Sequence, residues 1–279
     1  MAKIINGKEI SEKLLLEIKE NIIKNNLNIK LVVIQVGDIE ASNKYIKYKT
    51  NACKNVGINL ELIKYDANVK QEDIINEIHK LNQDNSVNGI MTQLPLPKHI
   101  DVNAVIESIS PVKDADGFTK STLGAIMLGE CLNPPATPKG IIKLLEEYNI
   151  DVVGKNITII GRSNIVGKPL ANMLINKSAT VTVCHTKTIN PNEKIKSADI
   201  IISAAGALNI VNKNNIGENQ IVIDVGTNFV DGKLYGDVNF DEVENKTKLI
   251  SKAIGGVGPM TIWGLIDNVY KLALKQKTA

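Results

Sequence analysis

Arginine is almost missing from this sequence. Of 33 basic residues 32 are lysine, and Arg162 is the single exception, so whatever bias has favoured lysine elsewhere has left one guanidinium in place. Cysteine is scarce as well. Cys53, Cys131 and Cys184 lie far apart, form no CxxC pair and leave one thiol over if two were to join; this argues against a disulfide framework and a structural metal site and fits a reducing compartment. Long apolar runs are absent: nothing approaches the roughly 20 residues of a membrane span, and the opening Met1 to Lys8 lacks the apolar stretch of a signal peptide. One-sided charge is absent too. The 33 basic residues against 30 acidic ones leave a net +3, too small and too dispersed for a nucleic-acid or membrane partner. The expectation is a soluble, cytoplasmic protein with no bound metal that acts on small molecules.

What the sequence does contain is apolar material for two domains, since 43% hydrophobic content over 279 residues exceeds the usual size of one compact unit. Ile10, Leu14, Ile18 and Ile22 recur every four residues, as a helix stripe does, and Lys30 to Val36 reads as a buried strand. A helix over Ala41 to Val56, a strand over Leu60 to Tyr65, a helix over Ile74 to Leu81 and a strand over Val87 to Leu94 continue the alternation, which predicts a parallel α/β sheet. The proline cluster Asn133-Pro134-Pro135-Ala136-Thr137-Pro138 interrupts it and marks a domain boundary. Thr137 and Pro138 suit the N-cap and first turn of a helix reaching Tyr148. Beyond it, strands at Asn156 to Ile160, Thr180 to Cys184, Ile200 to Ala204 and Ile221 to Val225, with a glycine-containing turn and a helix to Leu174 after the first, follow the order of a Rossmann-like half. A glycine-rich loop, Gly255 to Thr261, opens onto a last helix ending near Lys275.

The turn after the Asn156 strand reads Gly161-Arg162-Ser163-Asn164-Ile165-Val166-Gly167. Ser163 stands where the second glycine of G-x-G-x-x-G would be, so spacing alone is equally that of an ordinary strand-to-helix turn. Its context adds weight, because backbone N–H groups at a helix start face a phosphate well. The next strand ends in Cys184-His185-Thr186-Lys187, with none of the carboxylates that hold the ribose hydroxyls of NAD. A hydroxyl, a cation and Arg162 beside the first glycine suit the extra phosphate of NADP, which a guanidinium binds in a fork. His185 and Lys187 are also compatible with merely covering a strand end.

Ligands of open α/β sheets bind beyond the carboxyl ends of the strands, which in the first half lead into Val36-Gly37-Asp38 and Gln93-Leu94-Pro95-Leu96-Pro97. On the helix after the first strand Ser42, Tyr45 and Lys49 share a face, a pattern that a solvated helix with a snorkelling lysine also produces. Several segments taken together are more specific: Val36-Gly37 with Ala41-Ser42, Tyr45 and Lys49; Gln93 to Pro97; Lys113 to Gly117; Thr137 to Gly140; Gly161 to Gly167; Val222 to Gly226; and Gly255 to Thr261. In this order the chain resembles the bifunctional methylenetetrahydrofolate dehydrogenase/methenyltetrahydrofolate cyclohydrolase family along nearly its whole length.

That resemblance implies two α/β domains with an active-site cleft between them: a folate-binding catalytic domain of residues 1–137 and 260–279, and a Rossmann-like NADP-binding domain of residues 138–259. It implies oxidation of methylenetetrahydrofolate by NADP, then hydrolysis of the methenyl cation to formyltetrahydrofolate, in a homodimer. Lys49 becomes the proton-handling residue of the second step, supported by Tyr45, whose hydroxyl would reach Lys49, and by Gln93. Asp116 grips the pterin, Gly258 and Pro259 border the folate, and Asp114 is structural. Gly161, Arg162, Ser163, Thr186 and Thr227 fall to the cofactor. The chain departs from the family pattern at Ala136, usually cysteine; at Thr186, usually serine; at Thr227, usually isoleucine, beside the nicotinamide end; and at Lys252 and Ile254, usually prolines, whose loss would loosen the glycine loop. The competing expectations are an NADP dehydrogenase of another small substrate and a nucleotide-binding regulator without catalysis.

Overall fold

The computed structural model describes residues 2–278; the outermost residue at each end of the expected catalytic domain lies outside them. The elements in chain order begin β1 (Lys3–Ile5), α1 (Gly7–Lys24), β2 (Ile29–Val36), α2 (Glu40–Val56), β3 (Ile58–Tyr65), α3 (Gln71–Gln83) and β4 (Gly89–Thr92). Helices α4 (Val102–Glu107), α5 (Lys120–Leu128) and α6 (Ala136–Glu147) follow, then β5 (Asn156–Ile160), α7 (Gly167–Asn176), β6 (Thr180–Cys184), α8 (Pro191–Lys196), β7 (Ile200–Ser203) and β8 (Gln220–Asp224). The chain closes with β9 (Asn228–Val230), β10 (Lys233–Tyr235), α9 (Phe240–Val243), β11 (Thr247–Ser251) and α10 (Val257–Thr278). They form two compact units, Lys13–Ala136 with Ile262–Ala279, and Met1–Glu12 with Thr137–Thr261.

The first unit is built on a three-stranded parallel sheet in the order β3-β2-β4. Its central strand β2 is buried on both faces, which is why its sequence is a nearly unbroken apolar run and not an alternating one. Val32, Ile34 and Val36 pack against Ile74, Ile78 and Leu81 of α3 and Val105 of α4; positions 74, 78 and 81 are the i, i+4, i+7 set of an amphipathic helix. Strand β4 is shorter than the expected Val87 to Leu94. Val87 N–H turns back to the Asp84 carbonyl, outside the sheet, whereas Gln93 N–H still donates to the Ile34 carbonyl at 2.8 Å and continues the β2–β4 ladder one residue past the strand.

The second unit holds a six-stranded parallel sheet ordered β1-β11-β8-β7-β5-β6 and a separate β9–β10 hairpin. Ile160, Ile195, Ile201, Val222, Val243 and Ile250 lie in its core. From β5 the chain goes to one side for β6 and then crosses to the other for β7, so the carboxyl end of β5 is the topological switch point where such sheets bind ligands. The sequence division kept residues 1–12 with the first half; β1 instead runs parallel to β11 in the register Lys3↔Leu249 to Ile5↔Ser251, which groups them with this sheet. Helix α6 starts at Ala136, one residue before the expected cap. Thr137 hydroxyl shares a hydrogen bond with that of Thr261 at 3.0 Å, which occupies the group expected to cap the helix. The glycine-rich loop is likewise shorter than expected, because α10 begins at Val257 with Pro259 in its first turn, where a missing N–H costs nothing.

One buried group in the first unit has no partner. Thr92 Oγ1 makes no hydrogen bond among the described residues, although the side chain is buried on β4. Valine has the same shape without the hydroxyl, and relieving an unpaired buried polar group is favourable. Thr92→Val is expected to raise the unfolding free energy by about 1 kcal/mol, checked by the urea midpoint at unchanged m-value.

Candidate active site

Lys49 belongs to the stripe of α2 that faces the protein. Ser42, Ile46 and Cys53 on that stripe are buried, and Lys49 falls among them at the seventh position from Ser42, the spacing of a buried helix face. Lys44 and Lys47 on the same helix are exposed. The Lys49 amine donates to Gln93 Oε1 at 3.0 Å and to the Met91 thioether at 3.6 Å. Gln93 is in turn oriented by its Nε2 donating to the Leu94 carbonyl at 2.9 Å. Burial pulls the Lys49 pKa below the usual lysine value, against the opposing pull of Asp116.

Asp116 shows the reciprocal shift. Burial raises its carboxyl to about 6, with Asp114 adding to the rise and Lys49 opposing it. The turn that presents it is set by Asp114, whose buried carboxylate accepts from the N–H groups of Gly117 at 2.9 Å, Phe118 at 3.2 Å and Thr119 at 2.9 Å, and from Thr122 Oγ1 at 2.9 Å. Tyr45 is half-buried, and its phenol is raised by burial and by Tyr48. Its hydroxyl makes no hydrogen bond to Lys49 among the described residues, because the amine is turned toward Gln93 and Met91. Sequence reasoning missed two neighbours of the amine, Met91 and Cys53. Burial drives the Cys53 thiol up to about 12, so it is neutral. Its place four residues after Lys49 on the same stripe was the available signal.

In the second unit the Gly161 turn lies at the switch point. Gly161 N–H donates to the Cys184 carbonyl at 2.8 Å, which ties the turn to the end of β6, the strand that Thr186 and Lys187 follow. Gly161 has φ +119°, and a Cβ there would strike the Ala204 carbonyl; only glycine meets both conditions. Ser163, in place of the second glycine, braces the turn into α7: its Oγ accepts from Val166 N–H at 3.2 Å and more weakly from Gly167 N–H at 3.5 Å. Arg162 is exposed and has no hydrogen bond or ion pair among the described residues. Thr186 and Thr227 are exposed at the carboxyl ends of β6 and β8.

His185 serves its own turn. Its Nδ1 accepts from Lys187 N–H at 3.1 Å and its N–H donates to Thr188 Oγ1 at 2.8 Å, the covering role that the sequence left open for it. Gly258 and Pro259 lie in the first turn of α10, where Ser11 Oγ donates to the Pro259 carbonyl at 2.9 Å. Lys252 carries its amine over the Phe240 ring, 5.0 Å from the centroid, a cation–π contact at one of the two positions that lack the usual proline. Ile254, the other, is exposed.

Comparison with known proteins agrees with both halves. Residues 5–116 match the tetrahydrofolate dehydrogenase/cyclohydrolase catalytic domain, and residues 135–277 match the NAD(P)-binding domain of the same family. A bifunctional protein FolD of Bacillus anthracis is 46% identical over 277 residues, 98% of this chain and 97% of that one. The crystal structure of the bifunctional FolD enzyme of Campylobacter jejuni is 43% identical, with a TM-score of 0.95 and 99% of each chain covered. That of the Trypanosoma brucei enzyme, complexed with NADP cofactor and inhibitor, is 32% identical, with a TM-score of 0.94 over 100% of this chain and 99% of that one. Matched in both halves and aligned to such relatives over nearly its full length, the chain belongs to the tetrahydrofolate dehydrogenase/cyclohydrolase family.

Proposed function

We propose that this protein oxidises methylenetetrahydrofolate to methenyltetrahydrofolate with NADP and then hydrolyses the product to formyltetrahydrofolate, with Lys49, Gln93 and Asp116 as the folate-side machinery. The observation that carries this is a half-buried lysine amine hydrogen-bonded to a fixed glutamine with a carboxylate near enough to shift its pKa. Water attacking the methenyl cation must lose a proton, and a lysine whose pKa is lowered by burial is deprotonated more often near neutral pH than a solvated one. Gln93 holds that amine by accepting from it and keeps it aimed. Tyr45 offers a flat ring for a folate ring system to stack on. Asp116 has two carboxylate oxygens that accept no hydrogen bond among the described residues, the complement of paired N–H donors on a pterin.

The second unit fits NADP on its own evidence. The Gly161 turn excludes any side chain, Ser163 keeps an O–H that can donate, no carboxylate closes β6, and the exposed Arg162 has no hydrogen bond or ion pair among the described residues. Bound there, NADP supplies the hydride acceptor. Gly161 and Ser163 would hold the diphosphate, Arg162 and Thr186 would hold the phosphate on the adenosine ribose, and Thr227 would serve the nicotinamide end. Gly258 and Pro259 border the folate. Residues 13–136 with 262–279 then form the folate domain and the remainder the cofactor domain. No described helix is long and apolar enough to cross a membrane; a cytoplasmic homodimer completes the proposal, on the family resemblance.

Three outcomes test these assignments. Lys49→Met keeps the apolar stem and removes the amine, so cyclohydrolase activity is expected to fall at least about a hundredfold, as for loss of a general base. Dehydrogenase activity survives in part and the methenyl absorbance accumulates while NADPH forms; normal decay of that band would remove Lys49 from the mechanism. Arg162→Ala is expected to weaken NADP by roughly ten- to a hundredfold, the loss of a charge-assisted contact, with NAD affinity little changed. Equal use of both cofactors by the unaltered enzyme would refute the assignment. For Asp116, whose carboxyl titrates at about 6, only the anion offers two acceptors, so folate affinity is expected to rise as pH climbs through that value. Asp116→Asn should lower the affinity and flatten the profile, as read by KM against pH.

A further inference from the structure

Two buried aspartates in the cofactor unit have no part in the roles assigned so far. Asp224 ends β8 and Asp237 follows β10, and Asp237 has no exposed surface. Neither forms an ion pair among the described residues. Asp237 is held by neutral donors alone. Its Oδ2 accepts from Ser203 Oγ at 3.0 Å, Ala205 N–H at 2.7 Å and Gly206 N–H at 3.2 Å. Its Oδ1 accepts from Ala207 N–H at 2.9 Å and Asn228 Nδ2 at 3.0 Å. Three consecutive backbone N–H groups turned onto one anion form a nest, a concavity that elsewhere takes a phosphate or a ligand carboxylate. Here the protein fills it from within. Asp224 secures the arrangement by accepting from Asp237 N–H at 2.9 Å and Val238 N–H at 3.2 Å, and a side chain at Gly226 would collide with the Asp237 carboxylate.

The loop so held lies where the dinucleotide must rest. Ala204 to Ala207 leave the carboxyl end of β7, one of the two strands that flank the switch point. Ala204 N–H donates to the Ile160 carbonyl at 2.8 Å, and Val225 N–H donates to the Ser203 carbonyl at 2.8 Å, which joins the ends of β5, β7 and β8. The Gly161 turn lies directly against the Ala204 carbonyl. Any shift of this loop therefore moves the turn as well.

We infer that Asp237 is a positioning residue for the cofactor: its carboxylate organises the loops after β7 and β8 into the floor beneath NADP while making no contact with the ligand itself. The inference rests on the use of NADP proposed above. An amide at this position keeps the size but turns a second N–H donor toward a ring of donors, so the loop must open.

The test compares the full-length enzyme with its Asp237→Asn and Ser203→Ala variants by NADP titration calorimetry, by separate KM values for NADP and methylenetetrahydrofolate, and by hydrolysis of added methenyltetrahydrofolate. For Asp237→Asn the NADP dissociation constant and KM are expected to rise by about ten- to a hundredfold, with folate KM and hydrolysis within about twofold of the unaltered enzyme. Ser203→Ala removes one of five donors and leaves the carboxylate in place, so it keeps the question answerable if the first variant does not fold; its NADP KM is expected to rise by about threefold alone. A KM for NADP that stays put in the variants that fold, or NADP and folate KM values that move together, would overturn the inference. An unaltered enzyme that neither binds NADP nor turns over folate would overturn the proposed function instead.

Discussion

Taking a lysine amine away from water is the constraint around which the folate unit is arranged. An ammonium group moved toward a low-dielectric interior loses several kcal/mol of solvation unless other groups replace the water, and part of that penalty is relieved by giving up the proton more readily. Around Lys49 the replacements are few and unequal. Met91 offers a thioether, a weak acceptor. Cys53, with its thiol near 12, brings no charge at neutral pH. Gln93 is the one strong neutral acceptor among the described residues, and its amide is already fixed by the Leu94 carbonyl. Asp116 opposes the downward shift electrostatically and is itself shifted up, so the pair is tuned from both sides.

The aspartates of this protein show how the same side chain is given different work by its donors. Asp114 and Asp237 accept four and five hydrogen bonds respectively, and each braces a turn. Asp116, without any among the described residues, is pushed up to about 6 by burial. Asp224 is the instructive intermediate: backbone N–H groups lower its pKa, yet burial, with Asp237 adding, outweighs them and the carboxyl also reaches about 6. Counting donors separates an aspartate that braces a turn from one that accepts none among the described residues, where shift alone does not.

Local features carried most of what the sequence made legible. The uninterrupted apolar run of β2, the 74-78-81 stripe of α3 and the strand, turn and helix about Gly161 each occupy one short segment, and the structure has them where periodicity placed them. The placing of Lys49 on a face of α2 was equally visible, whereas the burial of that face was not, since Lys44 and Lys47 beside it look identical in the sequence. Less was legible where a role depends on distant partners. Thr137 resembles a helix cap until Thr261 engages its hydroxyl. Asp237 draws its donors from residues 203–207 and 228, and no window of sequence contains that set. Ser163 read as a departure from a glycine fingerprint and braces the turn that leads into α7.

The pairing of β1 with β11 joins residues from opposite ends of the chain. Strand β1 is synthesised long before the edge it covers, and closing so long a loop delays the contact. Until then β1 has no partner in the sheet, and the hydrogen-bonding groups along that side of β11 stay uncovered, the state in which strand edges recruit foreign chains. Completion of the cofactor sheet is thus tied to the return of β1. An extension or deletion there acts on the half of the protein that the order of the sequence would call remote.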